Sequence, residues 1–268
     1  MGDVPESHPR FASLMARKKL TDAAAAGLLA DSALIAHGRG EAFDYLLQER
    51  TCEAARQAIL ACAAYLSSAE HPVISVNGNT VALAGPELLA CAAVLGCPIE
   101  VNIYYRTPER MSALLSALDE QKIEAGDAYP DLKSKIEVVE ILGEHPDARI
   151  PNLEGPRANC HHEGIYSSDV ILVPLEDGDR CEALVSMGKT VCVIDLNPLS
   201  RTAKTASVTI VDELTRCVPI LLDALRNGSE VTMPDWDNGR NLKEVTKEML
   251  RYSIRRFRSV RVTSSPIE

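Results

Sequence analysis

Arginines, carboxylates and glycines are concentrated in a few short polar stretches, and their types suit the handling of anions. Asp177, Gly178, Asp179 and Arg180 follow one apolar run; Asp195, Leu196, Asn197, Ser200 and Arg201 close another. A guanidinium presents a planar fork of donors to phosphate or carboxylate. Carboxylates suit Mg2+, an amine or a ribose hydroxyl. Earlier in the chain, Gly38 and Gly40 bracket Arg39 just ahead of a helical pattern made by Ala42, Phe43, Leu46 and Leu47. A Gly-x-Gly entry to a helix exposes backbone N–H groups that attract anions, and Arg39 would add a fork. A plain helix-to-helix turn accounts for the same glycines equally well. His37 reads either as a core or capping histidine or as a proton acceptor near a reacting group. Asn77, Gly78 and Asn79 tolerate positive φ and predict a concave row of N–H donors. Tyr105 and Arg106 follow a strand pattern, and Arg17 adds a cation on a helical stretch. Physical chemistry alone takes these residues as far as a nucleotide site with a second anionic substrate.

Such side chains need a scaffold that brings several loops to one rim. Residues 170–175 and 190–196 are short, nearly continuous apolar runs, the pattern of strands buried on both faces. A helical stretch over 181–187, stopped by Gly188, separates them. Parallel strands joined in this way deliver polar loops at their carboxyl ends, where open α/β sheets bind ligands. Spacing predicts further helices over 9–29, 51–67 (capped by Thr51), 86–95, 108–121 and 212–226. It predicts strands over 73–76, 99–104, 136–142 and 207–211. Residues 143–163, rich in Pro, Gly and polar side chains, read as a long ordered loop. The alternation predicts an α/β fold: a mainly parallel sheet with flanking helices and an N-terminal helical cap that can also build a dimer interface. The reading is a single α/β domain over 1–268, with a helical part at 1–70, a sheet core at 72–228 and a helical tail at 229–268.

Several function classes lose support. No Walker A sequence, G-x-S-x-G elbow or G-x-G-x-x-G fingerprint occurs. A net charge of −10 disfavours nucleic acid as a general partner. The most membrane-like window, residues 81–99, holds Gly85, Pro86, Glu87 and Gly96 and reads as a soluble helix. The eight cysteines form no C-x-x-C pair, and several sit in apolar runs, which predicts free thiols in a reducing cytoplasm. Adjacent His161 and His162 read as solvated loop residues, not metal ligands. The stretch 240–261 holds eight Lys or Arg residues and two Glu, a basic amphipathic helix that suits an acidic protein surface. Three alternatives stay open: a non-catalytic nucleotide-binding or regulatory protein of the same fold, a nucleic-acid-associated protein using this tail, and an NAD(P) oxidoreductase.

The stretches SHPR (7–10), LIAHGRGEAFDYLL (34–47), VNGN (76–79), IEVNIYYRT (99–107), LVPLEDGDR (172–180) and IDLNPLSRTA (194–203) together resemble the archaeal 4-phosphopantoate–β-alanine ligases, or phosphopantothenate synthetases. The resemblance runs from about residue 7 to about residue 225; Gln48 stands where Gly is expected and Cys181 where Thr is expected. It implies a Rossmann-like homodimer in coenzyme A biosynthesis that joins 4-phosphopantoate to β-alanine with ATP and Mg2+, releasing AMP and diphosphate, through an acyl-adenylate. On that basis Arg17 and Arg39 are expected on the ATP phosphates. Asp177, Gly178, Asp179 and Arg180 are expected in the nucleotide loop, and Asp195, Leu196, Asn197, Ser200 and Arg201 beside the ribose or adenine. Asn77, Gly78, Asn79, Tyr105 and Arg106 are expected near phosphopantoate, with His37 as proton acceptor; no metal ligand is assigned.

Overall fold

The apolar runs become interior strands of one sheet. A computed structural model describes residues 4–228 and 235–258. Three helices, α1 (Phe11–Ala25), α2 (Asp31–Leu46) and α3 (Glu53–Ser68), precede β1 (Pro72–Val76). Then come α4 (Gly78–Leu95), β2 (Ile99–Val101), α5 (Pro108–Ala128), the short α6 (Lys133–Glu137) and β3 (Ile141–Leu142). An antiparallel ribbon of β4 (Ala148–Arg149) and β5 (Asn159–Cys160) leads to β6 (Val170–Pro174) and α7 (Gly178–Ser186). The chain continues through β7 (Thr190–Ile194), α8 (Arg201–Thr205), β8 (Val208–Ile210), α9 (Leu214–Arg226) and α10 (Asn238–Arg258). Six strands pair in parallel in the order β3-β2-β1-β6-β7-β8. With the ribbon set aside this is the 3-2-1-4-5-6 order of a Rossmann-like sheet, which reverses direction between β1 and β6.

Side-chain alternation along the strands explains why the runs are continuously apolar. Ile74, Val76, Leu172, Cys192 and Ile194 join one core with residues of α3, α4, α5 and α9. Val73, Ile171, Val173, Val191 and Val193 join the opposite core with Cys181 and Leu184 of α7 and Ile150, Cys160 and Ile165. Both faces are buried, so neither can be polar. All eight cysteines are free and buried; burial pushes the Cys160 and Cys181 thiols up to about 12, which leaves them protonated at neutral pH. Helix α4 is long and apolar enough to cross a membrane, but 72% of it is buried inside the fold.

Local chemistry corrects several expected boundaries. Helix α4 begins at Gly78, so Asn77 to Asn79 is a helix start and not a free loop: the Asn77 side chain accepts from Thr80 N at 3.2 Å. The apolar stretch from Val81 onward is therefore helical, with a kink at Ala84 ahead of Pro86. Carbonyls near the kink find side-chain donors: Val81 O accepts from Gln121 at 3.0 Å and Leu83 O from Lys19 at 3.4 Å. Of the strand expected over 136–142, the first part is helix α6 and only Ile141–Leu142 pairs. Strand β2 stops at Val101 because Asn102 turns its amide to the carbonyls of Arg157 and Asn159. Cys52, not Thr51, caps α3; the Thr51 hydroxyl donates to Asp212 at 2.5 Å. Residues 143–163 are mostly the long ordered loop expected, pinned by the short ribbon, and His161, expected in solvent, keeps only 26% of its side chain exposed.

Gly38 and Gly40 lie inside α2, so they do not open a helix there. Helix α2 is unusual in what it buries: Glu41 and Asp44. Arg17 of α1 donates to Glu41 at 2.8 Å, and Arg216 of α9 donates to Asp44 at 2.6 and 3.0 Å. Ion pairs, rather than a packed apolar face, therefore set this helix over the sheet rim. The basic tail forms α10, whose Leu242, Val245 and Met249 pack with Ala54, Ala55, Ala203 and Val211. Residues 259–261 of that tail lie outside the described residues.

Candidate active site at the sheet rim

A cavity of about 780 Å3 opens at the carboxyl ends of β1, β2, β6 and β7, under α2. That is the rim where the strand order reverses. From β1 come Asn77, Gly78 and Asn79; from β2, Ile103, Tyr104 and Tyr105, with Arg110 one turn into α5. The β6 end supplies Leu175, Glu176, Asp177 and Gly178. The β7 end supplies Asp195, Leu196, Asn197, Ser200, Arg201 and Thr202. Helix α2 contributes His37, Arg39 and Gly40, and the loop before β5 contributes Arg157.

The turn after β6 is held open at some cost. Leu175 has φ of 57°, a conformation that side chains beyond glycine seldom adopt. Asn77 fixes it by donating to Pro174 O at 3.3 Å and Leu175 O at 3.1 Å. Glu176 then points inward with its side chain fully buried, pairing with Arg180 and, at 2.9 Å, with Arg157. Asp177 occupies the N-cap position of α7 without capping it; its carboxylate instead accepts from Arg157 at 2.8 Å. The N-terminus of α7, the positive end of its dipole, therefore borders the cavity through Gly178 with no side-chain cap of its own. Gly178 leaves room for Arg201, since a Cβ there would sit 2.9 Å from Arg201 Nε and push that side chain aside.

At the β7 end, Asp195 accepts from the Ser200 hydroxyl and, at 2.9 Å, from Asn197 N. Burial raises its pKa above the ordinary carboxylate value, and those two donors oppose the rise. Gly40 of α2 packs on Leu196, its added Cβ falling 3.3 Å from Leu196 Cδ1. Burial also lowers His37, against the pull of Glu41, so its imidazole is neutral at neutral pH. Arg39 is exposed and has no ion-pair or hydrogen-bond partner among the described residues.

Most of the expected residues meet here, with four exceptions. Arg17 stands outside the cavity as the brace on Glu41. Arg106 turns away to the carbonyls of Gly143 and Glu144. Arg180 is 1% exposed, lies beneath the rim and donates to Ser75 Oγ at 3.0 Å. Asp179 faces a neighbouring groove and pairs with Arg201. Sequence reading missed Arg110, Arg157, Glu176 and Tyr104. The strand-end position of Glu176 and Tyr104 was a usable signal; Arg157, in an irregular loop, carried none. Among the described residues no group of three or more His, Cys, Asp or Glu could hold a metal ion by itself.

The description of phosphopantothenate/pantothenate synthetases matches residues 54–252. The 4-phosphopantoate–β-alanine ligase of Thermococcus kodakarensis is 44% identical over 252 residues, 91% of each chain. The ligase of the same name from Methanosarcina mazei is 44% identical over 256 residues, 93% of this chain and 95% of that one. Another from Methanospirillum hungatei is 47% identical over 215 residues, 80% and 82% of the two chains. The rim cavity lies on a chain that belongs to the phosphopantothenate/pantothenate synthetase family.

Proposed function

We propose that this chain is the ligase that joins 4-phosphopantoate to β-alanine at the expense of ATP, giving 4′-phosphopantothenate, AMP and diphosphate in coenzyme A biosynthesis. The observation that carries the reading is the rim cavity. It sets Arg39, Arg110, Arg157 and Arg201 around one space in a chain matched over nine tenths of its length by ligases of that name. A carboxylate is a poor electrophile with a poor leaving group. In the proposed reaction its oxygen attacks the α-phosphorus and diphosphate departs. The amine nitrogen then attacks the acyl carbon, AMP leaves with the bonding pair, and the ammonium proton passes to a base.

The roles follow from position. ATP lies along the β6 and β7 ends, with phosphates at Gly178 on the α7 N-terminus and ribose or adenine beside Asp195, Leu196 and Asn197. Ser200 holds Asp195, and Arg39 and Arg201 add positive charge. The phosphorylated acid lies at the β1 and β2 ends, near Asn79 and Tyr105, with Asn77 and Gly78 shaping that wall. Arg17 and Arg180 act as braces, and Asp179 through Arg201. Mg2+ fits Asp177, whose carboxylate is 67% exposed at the cavity, since this ion is commonly held by one or two carboxylates and the phosphates themselves. Bound there, it would neutralise phosphate charge.

Release of AMP that requires ATP, 4-phosphopantoate and β-alanine together tests the reading; nucleotide binding without AMP release would make the chain a non-catalytic binder. In that assay Arg39→Ala is expected to lower kcat/KM about 100-fold with circular dichroism unchanged; a fully active variant counts against its role. His37, neutral and facing the cavity, is the proposed proton acceptor, and His37→Gln should erase one ionisation from the acid side of the rate profile. An unaltered profile removes it.

The active form is proposed to be a homodimer working in the cytoplasm, where eight free thiols stay reduced. Leu60 of α3 and Leu250 and Ile254 of α10, helices that pack on each other, leave 40%, 58% and 53% of their surface exposed, apolar surface that a second copy could cover. Sedimentation velocity should give twice the chain mass, and Ile254→Asp should shift it toward the monomer. A wild-type monomer at micromolar concentration would dismiss this.

A further inference from the structure

The cavity arginines differ in what already neutralises them. Arg157 is paired with Glu176 and Asp177. Arg201 is paired with Asp179 and, at 3.2 Å, with Glu182. Arg39 is exposed, on the helix that packs through Gly40 onto Leu196, so it belongs to the β7 end. Arg110 has no carboxylate partner among the described residues. Arg39 also lacks a counter-charge among them, and Arg110 differs from it in being fixed in place. Two backbone carbonyls fix its guanidinium: Tyr105 O at 2.7 Å and Leu28 O at 3.1 Å. Its Nε is buried and makes no hydrogen bond. Burial pulls Arg110 below the usual guanidinium value. A partly buried cation held in place with no counter-charge is a ready site for an anion.

We propose that Arg110 receives the phosphomonoester of the acid substrate and makes the site select the phosphorylated acid over its dephospho form. The proposal rests on the ligase reading above. Spacing supports it. Strand β2, whose connection to α5 carries Arg110, lies two strand positions from β6, whose end opens α7, a separation of about 10 Å between the strands. An extended 4-phosphopantoate spans roughly 6 Å from phosphorus to carboxyl carbon at ordinary bond lengths. A charge-assisted hydrogen bond of about 2.8 Å supplies most of the remainder. The acid could thus touch Arg110 with its phosphate while its carboxylate meets the nucleotide. Tyr104 and Tyr105, set edge to face at 5.1 Å and more than half exposed, stand beside that path. They offer the branched apolar middle of the acid a surface it can cover.

The test is the ratio of kcat/KM for 4-phosphopantoate to that for pantoate, read as AMP release at saturating β-alanine. Arg110→Met is expected to lower this ratio about 100-fold, because the loss falls on the phosphorylated acid, and to leave the KM for ATP within about threefold. A ratio lowered less than 10-fold overturns the proposal, as does a loss that appears chiefly in the KM for ATP. Arg110 also braces two carbonyls, so Arg110→Lys decides alone if Arg110→Met does not fold. It keeps the charge without the fork, and a ratio lowered at least fivefold supports the proposal while a smaller change overturns it. Wild-type protein that forms no AMP from 4-phosphopantoate would sink the ligase reading itself; active wild type with unmoved ratios sinks only Arg110.

Discussion

An Arg157→Met variant is expected to lose about 100- to 1,000-fold in kcat/KM for AMP formation. Arg157 is 8% exposed and lines the cavity between the end of β2 and the start of α7. Its Nε donates to Asn102 Oδ1 at 3.3 Å, and one terminal nitrogen reaches both Glu176 and Asp177. That places a fixed cation between the two proposed halves of the site, where negative charge accumulates as carboxylate meets α-phosphate. A preorganised donor in a partly buried site needs little rearrangement during the step, which is why its removal costs so much rate. Folding should survive, because Glu176 retains Arg180. Turnover normalised to the folded fraction from unfolding curves is the measurement, and activity within fivefold of wild type would refute the role.

Arg180→Met should act on stability instead. Arg180 is buried, with Glu176 fully buried beside it and Ser75 as its second partner. Truncating Arg180 leaves the buried Glu176 with Arg157 alone, at 2.9 Å, so the cost should fall at the lower end of the about 3–5 kcal/mol of a broken buried pair. At roughly 2–4 °C per kcal/mol for a chain of this size, Tm should fall by about 10 °C. Adding Glu176→Gln should recover part of the loss, since the buried carboxylate that has lost one of its two arginine partners is then gone. A Tm within 2 °C of wild type for the single variant would show that the pair is not what holds the rim together.

Much of the scaffold was readable locally. The runs at 170–174 and 190–194 are strands because residues facing both cores must be apolar. The polar residues after them stand at the rim because that is where strands end. Errors arose where a local signal had two physical meanings. Gly38 and Gly40 looked like a helix entry, yet Gly40 serves close packing on Leu196 in mid-helix. Residues 136–142 carry apolar side chains that suit either a strand or the last turn of a helix, and α6 takes the first of them.

The sequence by itself determined the layered α/β plan and the set of loops from which a site could be made, because both follow from side-chain periodicity and backbone preference over a few residues. Only the tertiary structure decided which arginines reach the cavity and which are consumed as braces. That choice depends on partners far away in the chain: Arg110 and Leu28 are 82 positions apart, Arg157 and Asn102 are 55 apart, and Arg180 and Ser75 are 105 apart. A guanidinium looks alike in sequence whether it is neutralised or waiting for an anion, and the difference is set by the charges that folding brings beside it.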